Sequence, residues 1–174
     1  MVSAKPIAVP LVNPYYLLAR SLGVIKREGR VWTGDFEKPG PRLTPKNADG
    51  AKAAMITEVG YLRLGDLHVA CIPGEIYPEL VYGRIQEPVE ANADFPGAPR
   101  ERSVRDILPG KAMLLLGLAN DEIGYLIPKR QWDQRPPFAY GRTKSQYGEI
   151  HSVGPDAAPI ILKALENRVR DTVK

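Results

Sequence analysis

The chain of 174 residues contains one cysteine, two histidines and no long apolar run. Cys71 has no partner for an internal disulfide, and its apolar neighbours predict a small core residue. No segment reaches the roughly 18 consecutive apolar residues that a membrane-spanning helix needs. The N-terminal segment lacks the apolar stretch of a signal peptide. The sequence therefore predicts no transmembrane segment, and it assigns the chain to no compartment.

Strong charge of either sign is also missing. The formal net charge is +4, and the basic residues are scattered without runs or interleaved aromatic residues. Nucleic-acid binding domains usually concentrate basic residues on one face, so this pattern indicates no nucleic-acid partner. Mild basicity does permit peripheral contact with an anionic membrane surface.

What the chain does contain is enough apolar material for one core. Hydrophobic residues make up 44% of it, and its length is typical of a single domain. Apolar runs alternate with helical patterns, while 17 prolines and 16 glycines indicate many turns. We expect one α/β domain over residues 1–174, with a mixed β-sheet covered by helices.

Local signals place the elements. Asn13 and Pro14 predict a helix that ends at Gly23. Gly65-Asp66 predicts a hairpin between strands at 56–64 and 67–72. Further strands are expected at 113–116, covered on both faces, and at 123–127. Helices are expected at 76–86 and 156–172, the latter from the spacing of Ala158, Leu162, Leu165, Val169 and Val173. Residues 34–52, 88–110 and 128–146 are expected to be loops, and the aromatic residues of the third would contact an acyl chain or simply pack.

Two apolar segments stop abruptly at polar side chains. The first is Leu67–Ile72, followed by Pro73-Gly74-Glu75. The second contains Gly117-Leu118-Ala119-Asn120 and continues to Tyr125. Side chains delivered from strand ends are a common way to build a site on an α/β scaffold.

The order of these motifs resembles the neutral, non-lysosomal ceramidase family, and the resemblance runs from about residue 6 to residue 170. It includes Val9–Pro14, Thr57–Asp66, Tyr147-Gly148-Glu149 and Gly154-Pro155. Members of that family are zinc-dependent amidases that cleave the N-acyl bond of ceramide. The resemblance implies that Glu75 and Tyr125 are zinc ligands, and that Tyr125 is also catalytic through a hydrogen bond to the oxyanion. It also places Tyr147, Glu149, His151 and Asn120 near the pocket.

The family's two histidine ligands and its proposed serine have no match in this chain. The resemblance therefore covers the C-terminal half of a catalytic domain. It implies a zinc-dependent amidohydrolase of N-acyl lipids that is incomplete without an N-terminal half or a second chain. On this basis we expect weak zinc binding by the chain alone, and an exposed apolar face where the other half docks.

Several residues keep a second interpretation. Glu75 would also suit the N-terminus of a helix, and Tyr125 would also suit a core or rim position. Asn120 either orients a turn or supports Tyr125. His68 is expected to pack or meet solvent rather than bind metal. The alternative function is a non-catalytic interaction module whose partner supplies the missing half.

Overall fold

A computed structural model describes residues 1–172, so Val173 of the predicted helical pattern lies outside the described residues. The elements follow in chain order. They are β1 (Val2–Pro10), α1 (Pro14–Ser21), β2 (Gly29–Val31), β3 (Ala53–Leu64), β4 (Leu67–Cys71), β5 (Glu75–Ile76), α2 (Pro78–Tyr82), α3 (Val104–Ile107), β6 (Met113–Leu116), β7 (Tyr125–Leu126), a 3-10 turn (Lys129–Gln131), α4 (Tyr147–Ile150) and α5 (Ala157–Thr172).

The expected mixed sheet is confirmed. Strands β1, β3, β4 and β6 lie side by side in that order, and β2 pairs with the first residues of β3. The pairs of β3 are antiparallel, whereas β4 and β6 run parallel. Strands β5 and β7 form a separate two-stranded parallel ladder. The α/β fold class predicted from the sequence is therefore correct.

One face of the sheet carries the main core. Helix α5 packs against β1 and β3 and buries apolar residues along one side. Val59 and Tyr61 of β3 join Ala70 of β4 in the same buried cluster as Ile161 and Leu165. Alternate residues of the strands pack against every third or fourth residue of the helix, as the apolar spacing in the sequence indicated.

Two local predictions hold. The side chain of Asn13 accepts a hydrogen bond from the Tyr15 amide at 2.9 Å, which caps α1, and Pro14 is the first residue of that helix. The β3–β4 hairpin turns at Gly65, whose φ of 60° lies in the left-handed region that glycine tolerates. Both elements follow from signals within a few residues of each other.

Three element predictions need correction. The helix expected at 76–86 has only five residues, because Gly83 ends it at a φ of 74°. Strand β6 is not covered on both faces, since Leu114 and Leu116 are 45% and 44% exposed. The 88–110 segment contains the short helix α3, and a capping box between Ser103 and Asp106 forms its N-terminus. Strand β1 was not predicted.

The face of the sheet opposite α5 is open at its β6 edge. Leu114 and Leu116 lie on the same face as Val69 and Cys71 by their register. Cys71 is only half-buried on this face, so it is not the core residue that the sequence predicted. Leu114 and Leu116 are therefore exposed apolar side chains on this face. Among residues 1–172, no helix combines the length and hydropathy needed to cross a bilayer.

Candidate functional site

Strands β5 and β7 bring Glu75 and Tyr125 together. The two residues are direct partners in the parallel ladder, 50 positions apart in the chain. The Glu75 amide donates to the Gly124 carbonyl at 3.1 Å, and the Tyr77 amide donates to the Leu126 carbonyl at 3.0 Å. Glu75 and Tyr125 are therefore neighbours in the fold, as two ligands of one ion would have to be. Glu75 does not begin a helix, since Tyr77 occupies the N-cap position of α2, so the helix-terminus interpretation of Glu75 is wrong.

Two glycines allow this close approach. A Cβ atom on Gly74 would lie 2.6 Å from the Gly124 carbonyl oxygen. A Cβ atom on Gly124 would lie 2.0 Å from the His151 carbonyl oxygen, and Gly124 also has a φ of 90°. Only residues without a side chain let the backbones of β5, β7 and the segment before α5 meet here.

The loop before β7 is fixed to the sheet. The Thr57 hydroxyl donates to the Asp121 carboxylate at 2.7 Å, and the Arg27 guanidinium pairs with the same carboxylate at 3.7 Å. The Glu122 carboxylate accepts from the Gly124 amide at 2.6 Å. These contacts set the position at which the chain enters β7, so they set the position of Tyr125.

Glu75 and Tyr125 are coupled electrostatically. Hydrogen bonding to the Glu75 carboxylate is the largest cause that raises the pKa of Tyr125 to about 12. Desolvation and repulsion by the Glu75 charge act in the same direction. At neutral pH the phenol therefore keeps its proton and can serve as a hydrogen-bond donor.

Aromatic rings surround this pair. Tyr77 and Tyr147 each contact Tyr125 edge to face, with ring centroids 6.2 Å and 5.7 Å away. The His151 ring packs against Tyr147 at an angle of 40° with centroids 4.2 Å apart, and the His151 carbonyl accepts from the Tyr125 amide at 3.0 Å. Tyr147 is 66% exposed, so the cluster opens to solvent. Tyr147 and His151 thus lie beside the site, as the resemblance implied.

Two other expected pocket residues lie elsewhere. Asn120 adopts a φ of 59° and donates to the Glu58 carbonyl at 3.3 Å, so it orients the loop and joins it to β3. Glu149 is only 2% exposed and accepts from the Asp133 amide at 3.2 Å. Burial raises the pKa of Glu149. Glu149 lines a small, partly open cavity together with Tyr77, rather than the surface beside Tyr125.

His68 is a packed residue. It is buried, stacks on Tyr61 and bonds the Tyr61 hydroxyl through Nδ1 at 2.5 Å. The aromatic residue Trp132 of the 128–146 segment is also buried, so it packs rather than offering a surface for an acyl chain. His68 and Trp132 therefore both pack inside the fold.

Tyr77 is the residue that sequence reasoning missed. It follows Glu75 by two positions, and side chains two apart on an extended segment share a face. That spacing was the available signal. Tyr77 contacts Tyr125 on one side and lines the Glu149 cavity on the other.

The chain's own residues give a small metal-ligand set. Glu75 supplies a carboxylate and Tyr125 a phenol, both of which fit zinc chemically. No group of three His, Cys, Asp or Glu side chains within residues 1–172 is arranged to hold a metal ion. Catalytic zinc sites usually use three protein ligands. The pair therefore fits as part of a zinc site and not as the whole of one.

Comparison of the chain with protein-family models, with curated proteins and with solved structures finds no match. The likeness to neutral ceramidases therefore rests on the short motifs alone.

Proposed function

We propose that this chain carries one half of the zinc site of an amidohydrolase that cleaves N-acyl lipids, with ceramide the substrate suggested by the resemblance. The observation that supports it best is the direct pairing of Glu75 with Tyr125 on β5 and β7. Two residues that the motifs single out, 50 positions apart, meet at one solvent-accessible place.

In this proposal Glu75 and Tyr125 hold Zn²⁺ together with imidazoles from a second polypeptide or a preceding segment. When bound, the metal would polarise the amide carbonyl and activate water. Tyr125 keeps its phenolic proton at neutral pH, so it can donate a hydrogen bond to the oxyanion that develops on the attacked amide. Glu75 supplies negative charge for a cation, and once it binds the cation it releases the single phenolic O–H of Tyr125 for the hydrogen bond to the oxyanion.

The open sheet face supports the same arrangement. Leu114 and Leu116 of β6 are apolar and nearly half exposed on the edge strand. Apolar surface of this kind commonly marks a place where another protein segment packs. A segment that packs on β6 would contact the sheet whose strand β4 leads directly into β5.

Zinc titration in the presence of free imidazole tests the proposal. Imidazole supplies the missing nitrogen ligands. Calorimetry should therefore show that added imidazole raises the zinc affinity of the chain about tenfold or more, because each additional ligand strengthens the binding of the ion. Glu75→Gln and Tyr125→Phe should each abolish that rise. Tyr15→Phe is the matched control, because Tyr15 is an exposed tyrosine on α1.

Zinc affinity that imidazole leaves unchanged would contradict the proposal. Without imidazole or a second polypeptide, the chain should bind zinc weakly and should not hydrolyse a fluorescent N-acyl sphingosine. Turnover by the purified chain alone would show that the site is complete, and the half-site proposal would be wrong.

A second candidate is a non-catalytic interaction module. The observation that favours it is that the Glu75 carboxylate and the Tyr125 phenol already satisfy each other, which raises the pKa of Tyr125. The pair would then only join β5 to β7. In that case Tyr125→Phe would lower the melting temperature equally with and without zinc and imidazole.

A further inference from the structure

A small, partly open cavity lies beyond Tyr77, separate from the Glu75–Tyr125 pair. Its volume is about 90 Å³. Its polar lining includes Glu79 of α2, Glu149 of α4, and Tyr140 and Arg142 of the segment between the 3-10 turn and α4. Three different parts of the chain therefore deliver ionisable side chains to one pocket.

Three of these side chains have polar atoms without a partner. Glu149 Oε2, Glu79 Oε2 and the Tyr140 hydroxyl are buried, and none of them hydrogen-bonds to another atom of the described chain. Leaving one buried polar group unsatisfied costs about 1–3 kcal/mol, and more for a charged group. Three such atoms at one cavity indicate that something else occupies it in solution.

The charge of the lining is unbalanced. Glu79 and Glu149 contribute two carboxylates, and Arg142 is the basic side chain of the lining. Arg142 is already engaged, because it pairs with buried Asp133 at 3.5 Å and lies over the Tyr140 ring at 4.8 Å. The lining also carries hydrogen-bond donors on Gln86, Gln131 and Tyr77, but no donor within residues 1–172 reaches the three unpartnered oxygens. The two carboxylates outnumber the one guanidinium of the lining.

The Tyr140 backbone is strained in a way that fixes this geometry. Its φ is 56°, in the left-handed region that bulky residues rarely adopt. The Ala139 amide donates to Asp133 Oδ1 at 3.0 Å and holds the neighbouring backbone in place. Strain of this kind persists only where the surroundings enforce it, and it concentrates at ligand sites.

We propose that this cavity binds the primary ammonium group of an organic amine. An ammonium group has three N–H donors and one positive charge. Those three donors match the three unpartnered acceptors, and the charge offsets the excess of carboxylate. The cavity has room for the ammonium and a short alkyl stem, and Ile127 supplies an apolar wall for that stem.

Other ligands fit less well. An anion would face two carboxylates. A divalent metal would find two carboxylates and a phenol, and no three-residue metal-binding group is present among residues 1–172. Water alone would satisfy the hydrogen bonds but not the charge, and it is the competing outcome of the test.

The test is calorimetric titration of the full chain with ethylammonium chloride, with tetramethylammonium chloride as the comparison ligand. Ethylammonium should bind saturably, and tetramethylammonium, which has no N–H donors, should not. Glu149→Gln keeps an oxygen for the Asp133 amide but removes the charge, so it should weaken binding about tenfold or more. Tyr140→Phe removes one acceptor and should weaken binding severalfold.

Glu75→Gln is the matched control, since Glu75 does not line the cavity, and it should leave ethylammonium affinity unchanged. A second titration with Nα-acetyl-lysine methylamide separates two sources of the ammonium. Tighter binding of that compound than of ethylammonium identifies a lysine side chain of another protein, and weaker binding identifies a free amine.

Failure of both amines to bind the wild type would show that the cavity holds water only and would overturn the proposal. Equal loss of binding in Glu75→Gln and Glu149→Gln would also overturn it. The Glu75–Tyr125 zinc proposal has a separate outcome, because its imidazole-dependent readout does not use the cavity residues.

Discussion

Two carboxylate–tyrosine clusters lie on different sides of Tyr77, and they differ in how their polar atoms are satisfied. At the surface, the Glu75 carboxylate raises the pKa of the Tyr125 phenol. Inside, Glu149, Glu79 and Tyr140 keep unpartnered atoms around a cavity. The surface cluster needs no ligand to form, and a bound cation could take the place of the phenolic proton of Tyr125. The cluster beyond Tyr77 has three oxygens without a hydrogen-bond partner, and the proposed ammonium group would supply donors to them.

The largest effect should come from disturbing the close approach that forms the surface cluster. Gly124→Ala places a Cβ atom 2.0 Å from the His151 carbonyl oxygen at a residue with a φ of 90°. Backbone strain and overlap should together cost about 3 kcal/mol of unfolding free energy. Urea denaturation measures this. Gly97→Ala is the control, because nothing lies within 4 Å of its added Cβ atom, and a similar loss there would contradict the geometry.

The buried cluster should reveal itself through pH. Burial raises the pKa of Glu149 above its ordinary value of 4.5, so the native state favours the protonated form. The stabilising contribution is complete below pH 4.5 and is lost as the pH rises through the elevated native pKa. The difference in unfolding free energy between wild type and Glu149→Gln should therefore fall over that range. Parallel stability curves for the two proteins would show that Glu149 does not titrate in this way.

The surface cluster should titrate at the other end of the scale. Tyr125 has a pKa of about 12, held up chiefly by Glu75. Glu75→Gln should move the pKa toward the ordinary tyrosine value of 10.0. Tyrosinate absorbance near 295 nm, corrected with the Tyr125→Phe spectrum, measures this shift. The stability that the raised pKa contributes is present below pH 10 and is lost toward pH 12. A Tyr125 pKa that Glu75→Gln leaves unchanged would contradict the coupling.

The smallest effect on stability should come from the open sheet face. Leu116→Lys changes an exposed side chain, so the unfolding free energy should change by less than about 0.5 kcal/mol. Light scattering at micromolar protein should nevertheless show reduced self-association, because a lysine on an edge strand opposes pairing. Leu115→Lys is the contrast, since Leu115 packs against the core and its replacement should destabilise the fold. Unchanged scattering would show that this face does not drive association.

Local signals explain what the sequence predicts well. The cap at Asn13 and the turn at Gly65 act within a few residues, and both elements form as expected. The meeting of Glu75 with Tyr125 was also predictable, because each follows an apolar run and strand ends gather at one edge. The shortened α2 has a local cause as well, because Gly83 ends it. The helix predicted at 76–86 ran past that glycine.

Other features depend on contacts that no local pattern contains. Strand β1 carries Lys5 and Pro6, which weaken a strand prediction, yet all nine of its residues pair with β3. The continuous apolar run of β6 suggested burial on both faces, but its position at the sheet edge leaves one face open. Among the cavity residues, Glu79 is far in sequence from Tyr140 and Glu149, and only the tertiary fold brings it to the same cavity.

Asn13 has a consequence for the order in which the molecule is assembled. Its side-chain amide donates to the carbonyls of Ile150 and Ser152, both at 2.7 Å, across 137 and 139 positions of the chain. Between those two residues lies His151, whose carbonyl accepts the Tyr125 amide. Contacts of such sequence separation form slowly, because a long loop must close before they are rewarded. We therefore expect the surface cluster to form late in folding, and a nascent chain has no complete Tyr125 environment until residues 147–152 have been synthesised.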